Sequence, residues 1–211
     1  MDIDILLYDG FDELDGIGPY EVFDYALGYA SETDERAGRV RYVALDERET
    51  VTASHGTGVG IDGVLPEPES EAAPDLVVVP GGGWSARDED ASAWAEAQKG
   101  AVPRALAAYH AAGTRIASVC TGSMLLAEAG VTDGRRAVTH AAAIDELRES
   151  GAEVVDARVV DDGDLLTAGG VTSGLDLALY IVEREFGAEI AERVATVIEY
   201  ERRYEVAVEP K

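Results

Sequence analysis

One cysteine stands in 211 residues, and its neighbours give it a chemical setting. Cys120 closes the run Ile116-Ala117-Ser118-Val119 and is followed by Thr121-Gly122-Ser123. A buried strand, one residue and then a helix that starts on small residues is the arrangement of a nucleophile elbow. The turn lifts the sulfur above a sheet and brings it near the N–H groups of a helix N-terminus, which favour a thiolate. Gly122 gives the turn room to fold back. A free cysteine is otherwise among the most buried and inert residue types. Position, not residue type, carries the reading of a reactive thiol.

Further candidates lie at other strand ends. Pro80-Gly81-Gly82-Gly83 abruptly ends the apolar strand Asp75–Val79. Its glycines allow close backbone approach, and an amide from this turn, with the Thr121 amide, would form an oxyanion hole. His140 follows Ala137-Val138-Thr139, where an acid or base near Cys120 would sit. Of the remaining histidines, His110 reads as a surface residue within a helix, and His55 lies in a glycine-rich stretch that suggests no role. Asp15 and Glu21 compete as the acid near the first helix. With 42 acidic residues in the chain, their positions alone do not separate them.

These residues need a scaffold, and the pattern supplies one. Short apolar runs (Ile3–Tyr8, Val40–Leu45, Asp75–Val79, Arg115–Val119, Asp164–Ala168) alternate with helical stretches. We expect helices at Pro19–Ala30, Ala86–Gln98, Val102–Ala112, Ser123–Ala129, Ala142–Ser150, Thr172–Phe186 and Ala188–Tyr200. Val51–Asp62 reads as a small hairpin, Ala137–Thr139 as a short strand, Glu153–Val160 as a strand, and Pro66–Pro74 as an exposed connection. Strand–helix alternation predicts a mostly parallel sheet with helices on both faces, an α/β three-layer sandwich of flavodoxin-like type. Sites in such sheets lie at the carboxyl ends of strands. Residues 1–211 read as one domain.

Composition narrows the partners. Seventeen basic against 42 acidic residues give a net charge of −25. Such a surface repels phosphates, so neither nucleic acid nor an anionic membrane is an expected partner. Lysine occurs only at Lys99 and Lys211. We read this acidity as adaptation to a high-salt cytoplasm, where screening over roughly 3 Å at 1 M makes self-repulsion cheap. The acidic opening MDIDILLYDG lacks a basic n-region, and no long apolar run is present, so a cytoplasmic location is expected. A lone cysteine excludes an internal disulfide and a multi-cysteine metal site.

Taken in order, several strings resemble the ThiJ/PfpI superfamily, whose folds are similar to class I glutamine amidotransferases. They are Leu14-Asp15 through Pro19-Tyr20-Glu21-Val22-Phe23, Val79 to Gly83, Ser118 to Ser123, Gly134 to His140, and Thr167-Ala168-Gly169-Gly170-Val171-Thr172-Ser173-Gly174 into the following helix. Within the superfamily the chain looks most like the isocyanide hydratases. The resemblance implies that Cys120 is the nucleophile, that Asp15 hydrogen-bonds its sulfur, that Thr121 is the residue after the nucleophile, and that Gly82 lines the oxyanion side. It implies a small-molecule substrate, a homodimer, and no metal or organic cofactor. A cysteine-oxidation sensor or deglycase, and a ligand-binding domain related to AraC-type regulators, are the alternatives it leaves. One departure stands out: the branch usually places an aromatic residue after Thr-His, and this chain has Ala141.

Overall fold

The computed structural model describes residues 1–32, 38–203 and 205–208. Its frame is an eight-stranded sheet. The strands are β1 (Asp2–Leu6), β2 (Arg39–Ala44), β5 (Gly63–Val64), β6 (Leu76–Val79), β7 (Arg115–Val119), β10 (Val159–Asp162), β11 (Leu165–Ala168) and β12 (Val206–Val208). Their spatial order is β12-β10-β11-β7-β6-β1-β2-β5. Only the β10–β11 pairing is antiparallel; the others are parallel. Helices α1 (Glu13–Ser31), α6 (Ser173–Phe186) and α7 (Ala188–Val197) pack together as one layer. Helices α2 (Ala93–Lys99), α3 (Ala101–Ala111) and α4 (Gly122–Glu128) form the other. With both faces covered, the central strands need no polar alternation. All four residues of β6, Leu-Val-Val-Val, are buried.

Outside the sheet, β3 (Thr50–Thr52) and β4 (Gly58–Gly60) form the expected hairpin, and β8 (Arg136–Ala137) pairs with β9 (Glu153–Val154). Thus the short strand before His140 belongs to a separate two-stranded ribbon and not to the main sheet. The run Glu153–Val160 divides between β9 and β10.

Two helix starts differ from expectation, for reasons visible at their caps. Helix α1 begins six residues before Pro19, because the Asp12 side chain accepts from the Leu14 N–H and caps it. Pro19 is therefore interior to the helix and cannot donate to the Asp15 carbonyl one turn back. Helix α2 begins at Ala93, not Ala86, because Ser92 Oγ accepts from Ala95 N at 3.1 Å. Turns and bends occupy most of the stretch from Trp84 to Ser92. Among the described residues no helix is long and apolar enough to cross a membrane.

Candidate active site

Register brings four strand ends together. Ile5 of β1 pairs with Val78 of β6, Val79 of β6 with Ser118 of β7, and Ala168 of β11 with Val119 of β7. The segments leaving these strands carry Asp12 and Asp15, the Gly81–Gly83 turn, Cys120, and Gly169–Thr172.

Cys120 is the elbow the sequence implied. Its φ of 57° lies in the left-handed region, rare for a residue with a side chain. The strand beside it holds this geometry: the Cys120 N–H donates to Gly169 O at 2.8 Å and to Ala168 O at 3.1 Å. The Thr139 hydroxyl donates to the Cys120 carbonyl at 2.9 Å. Behind the elbow, Ser123 Oγ lies 2.7 Å from Ser118 Oγ and donates to Val138 O at 2.7 Å. Gly122 is required by contact: a Cβ there would lie 2.3 Å from Val79 O.

Asp15 rather than Glu21 meets the thiol. Asp15 is fully buried, whereas Glu21 is exposed. Asp15 Oδ2 accepts from the Gly81 N–H at 3.0 Å. Its Oδ1 is buried and accepts no hydrogen bond of normal geometry, although the Cys120 thiol lies near enough to favour the carboxylate charge. Burial pushes the Asp15 carboxyl up to about 8; the Asp12 charge adds to this, and the Gly81 amide and Cys120 thiol work against it. Burial likewise pushes the Cys120 thiol up to about 12, with the Asp15 charge adding to it. The N–H groups of Val171 and Thr121 both reach the sulfur and pull the other way. The elbow thus supplies the expected amides, but burial outweighs them, and the expected resting thiolate is a thiol. Burial favours the protonated form of both groups.

The remaining candidates divide. Gly82 borders the site, and at φ 142° a Cβ on it would lie 2.4 Å from Gly10 O. Its N–H donates to Thr121 Oγ1 at 3.0 Å. The Thr121 N–H faces the sulfur. His140 lines the same cavity, but its Nδ1 accepts from Ala142 N at 3.1 Å, and no hydrogen bond joins its ring to Cys120 among the described residues. Ala141 is exposed; the aromatic wall of the cavity is Trp84. His110 lies in the last turn of α3, half-buried and 4.0 Å from Asp164, so the surface reading was incomplete. His55 caps nothing in the cavity; it pairs with Glu13 at 2.7 Å.

Sequence reasoning passed over three contributors. Tyr8, almost fully buried, donates to Pro80 O at 2.8 Å and so ties β1 to the glycine turn. Asp12 and Val171 border the cavity beside Cys120. The capping position of Asp12 was the available signal for the first; the Val171 contribution is backbone and leaves no side-chain signature. The cavity measures about 320 Å³, with Cys120 and Thr121 among its lining residues, the Gly82–Ala86 segment on one side, and His140, Ala142 and Ala143 on another.

Comparison with known proteins agrees with this geometry. The DJ-1/PfpI family model matches residues 1–184. An isonitrile hydratase of Pseudomonas putida is 35% identical over 205 residues, covering 95% of this chain and 78% of that protein. A deglycase of Pyrococcus horikoshii is 32% identical over 166 residues, 79% of this chain and 92% of its own. The crystal structure of a ThiJ/PfpI family protein from Pseudomonas syringae superposes with a TM-score of 0.78 at 27% identity, covering 96% of this chain and 76% of that one. An eight-stranded, mostly parallel sheet with a cysteine elbow at its centre and a match along most of the chain place this protein in the DJ-1/PfpI family.

Proposed function

We propose that the chain is a cysteine-dependent hydratase that converts a small isocyanide to the N-substituted formamide. The observation that carries this reading is geometric: Cys120 stands at the elbow under a cavity of about 320 Å³, with the fully buried Asp15 carboxyl beside its thiol and raised by burial. The terminal carbon of an isocyanide must gain both a nucleophile and a proton. A doubly protonated pair supplies both. The Cys120 sulfur bonds to that carbon while Asp15 delivers a proton to it, and the thiol proton passes to Asp15. The product is a thioimidate, R–N=CH–S–Cys120. Water then adds across the C=N bond, its hydroxyl to carbon and a proton to nitrogen; the C–S bond breaks as the hydroxyl proton passes by way of Asp15 to the sulfur, and the formamide R–NH–CHO leaves. The Val171 and Thr121 amides steady the sulfur whenever it carries charge.

Similarity to the Pseudomonas putida isonitrile hydratase over nearly the whole chain supports the hydratase reading. Similarity to the Pyrococcus horikoshii deglycase supports the competing reading, and 2-oxoaldehydes are the probes chosen for it. The test is a panel of alkyl isocyanides and 2-oxoaldehydes on wild type and Cys120→Ala, at molar KCl. Formamide from isocyanides with wild type only is expected. Turnover of 2-oxoaldehydes alone, or isocyanide turnover that survives Cys120→Ala, would reject it.

A further inference from the structure

Both tryptophans of the chain stand in one ring of contacts beside the cavity. Trp84 Nε1–H donates to Glu146 Oε2 at 3.0 Å. Arg87 donates to Glu146 Oε1 at 2.8 Å. The Arg87 guanidinium lies 4.1 Å over the Trp94 ring, and Trp94 meets Trp84 edge to face with centroids 5.1 Å apart. Each member therefore touches two others. Residues 62 apart in sequence are joined, and they come from opposite walls. Trp84 belongs to the stretch between the glycine turn and α2, which has no regular secondary structure of its own. Glu146 lies on the short helix α5 (Ile144–Glu149), which directly follows the cavity residues Ala142 and Ala143.

We infer that Glu146 clasps the Gly83–Ser92 strap to α5, and that the strap's Trp84 sets the size of the group admitted to Cys120. Three features carry this. The strap's own backbone bonds are local turns (the Ala86 N–H to Gly83 O, the Glu89 N–H to Ala86 O), so side chains make its link to α5. Trp84 is 5% exposed although it lies on a strap, so the clasp keeps its ring turned inward. Both Glu146 oxygens are used, one by each strap residue, so one carboxylate fixes the strap at two points. Much of the remaining lining is small (Gly82, Gly83, Ala86, Ala142, Ala143); Trp84 and His140 are its bulky members, and Trp84 is the one the clasp holds. Resting on the hydratase reading, the substrate is an isocyanide whose uncharged, apolar N-substituent packs against Trp84. Glu146 and Trp84 are specificity-determining residues and take no part in the chemistry.

The test separates size selection from turnover. Cys120 is alkylated with iodoacetamide and with N-phenyl iodoacetamide, and the rate ratio is compared in wild type, Glu146→Gln, Glu146→Ala and Trp84→Phe. Gln keeps an acceptor for the indole; Ala keeps none; Phe keeps a ring without its N–H. Wild type and Glu146→Gln should favour the small reagent, while Glu146→Ala and Trp84→Phe should lose about tenfold of that preference, the scale of pocket discrimination. The same variants, assayed with methyl and benzyl isocyanide, should shift the ratio of kcat/KM between the two substrates by about tenfold. An unchanged alkylation ratio in Glu146→Ala, with circular dichroism and melting intact, overturns the inference. If the ratio shifts but no isocyanide is hydrated, size selection stands and the hydratase reading falls.

Discussion

Asp15 and Glu13 share the first turn of α1 and the same helix dipole, yet the fold drives them in opposite directions. Asp15 points inward to Cys120 and is fully buried. Burial is the largest influence and carries it up to about 8. Glu13 is half-buried at the rim. Burial there also acts upward, but it is outweighed by the His55 side chain at 2.7 Å and by backbone N–H groups, including those of His55 and Thr57, which bring Glu13 down to about 2. The difference separates two tasks for the same functional group. A carboxyl with few donors in a dry site becomes a proton store, while one surrounded by donors becomes a fixed anion that pins the β3–β4 hairpin to α1.

The largest effect should come from removing the store. Asp15→Asn should keep the fold and lower isocyanide turnover by about 10²–10⁴-fold, the scale of a lost general acid. Glu13→Gln and Glu21→Gln should stay within about threefold of wild type. Equal losses at residues 13 and 15, measured as kcat/KM, would break the comparison.

Salt should act on the surface and not on the interior. Few of the acids behind the formal net charge of −25 are buried among the described residues (Asp4, Asp15, Asp161 and Asp176), so the self-repulsion is mainly at the surface and is screened as the Debye length falls from roughly 30 Å at 0.01 M to about 3 Å at 1 M. The melting temperature of wild type should rise from dilute buffer to molar KCl by more than either carboxyl substitution moves it. Chloride and sulfate matched in ionic strength should act alike at low concentration. A flat melting temperature from 0.05 to 2 M KCl would refute the high-salt reading of the composition.

Next in size is the stability effect at Asp15. A carboxyl raised in the folded state carries no penalty below its unfolded value near 3.8, a growing one as pH rises, and the full one above about 8. Asp15→Asn removes that penalty while still offering an acceptor to the Gly81 N–H. Its gain in stability, read by thermal unfolding, should therefore grow between pH 5 and pH 8, on the order of 1.4 kcal/mol per pH unit, and should survive 1 M KCl. A gain independent of pH would remove the titration from the explanation.

The smallest effect belongs to Glu13. Its contribution is present above the unfolded value near 4.5 and is lost as pH falls toward about 2. Glu13→Gln should lower the melting temperature by about 1–3 °C at pH 7. The deficit should shrink below pH 4.5 and fade in 1 M KCl. A deficit that salt does not touch would assign Glu13 a packing role instead.

Much of this was legible in sequence where signals were local. The apolar runs marked the strands β1, β2, β6 and β7, and the Val119-Cys120-Thr121-Gly122 turn marked the elbow. Asp15 was different: position alone could not choose between it and Glu21, and family resemblance made the choice. Local signals also misplaced α1, because Pro19 imitates a helix start while Asp12 provides the real cap. The edge strands β5 and β12 are two and three residues long and carry too little pattern to be read. The Trp84–Glu146 clasp is tertiary, and no local period links its members. The thiol's protonation depends on burial, which competes with the elbow amides and has no signature in residue spacing.

The φ of 57° at Cys120 has a consequence for how this chain could drift. Left-handed backbone costs roughly 1–2 kcal/mol for a residue bearing a Cβ, and glycine escapes it. Part of that relief is returned through the greater freedom of glycine in the unfolded chain, about 0.5–1 kcal/mol. The backbone at this one position still favours the residue that has no sulfur. A lineage released from the need for chemistry should therefore tend to replace the cysteine with glycine and keep the fold. A chain that keeps a side chain at this position does so against that conformational pull.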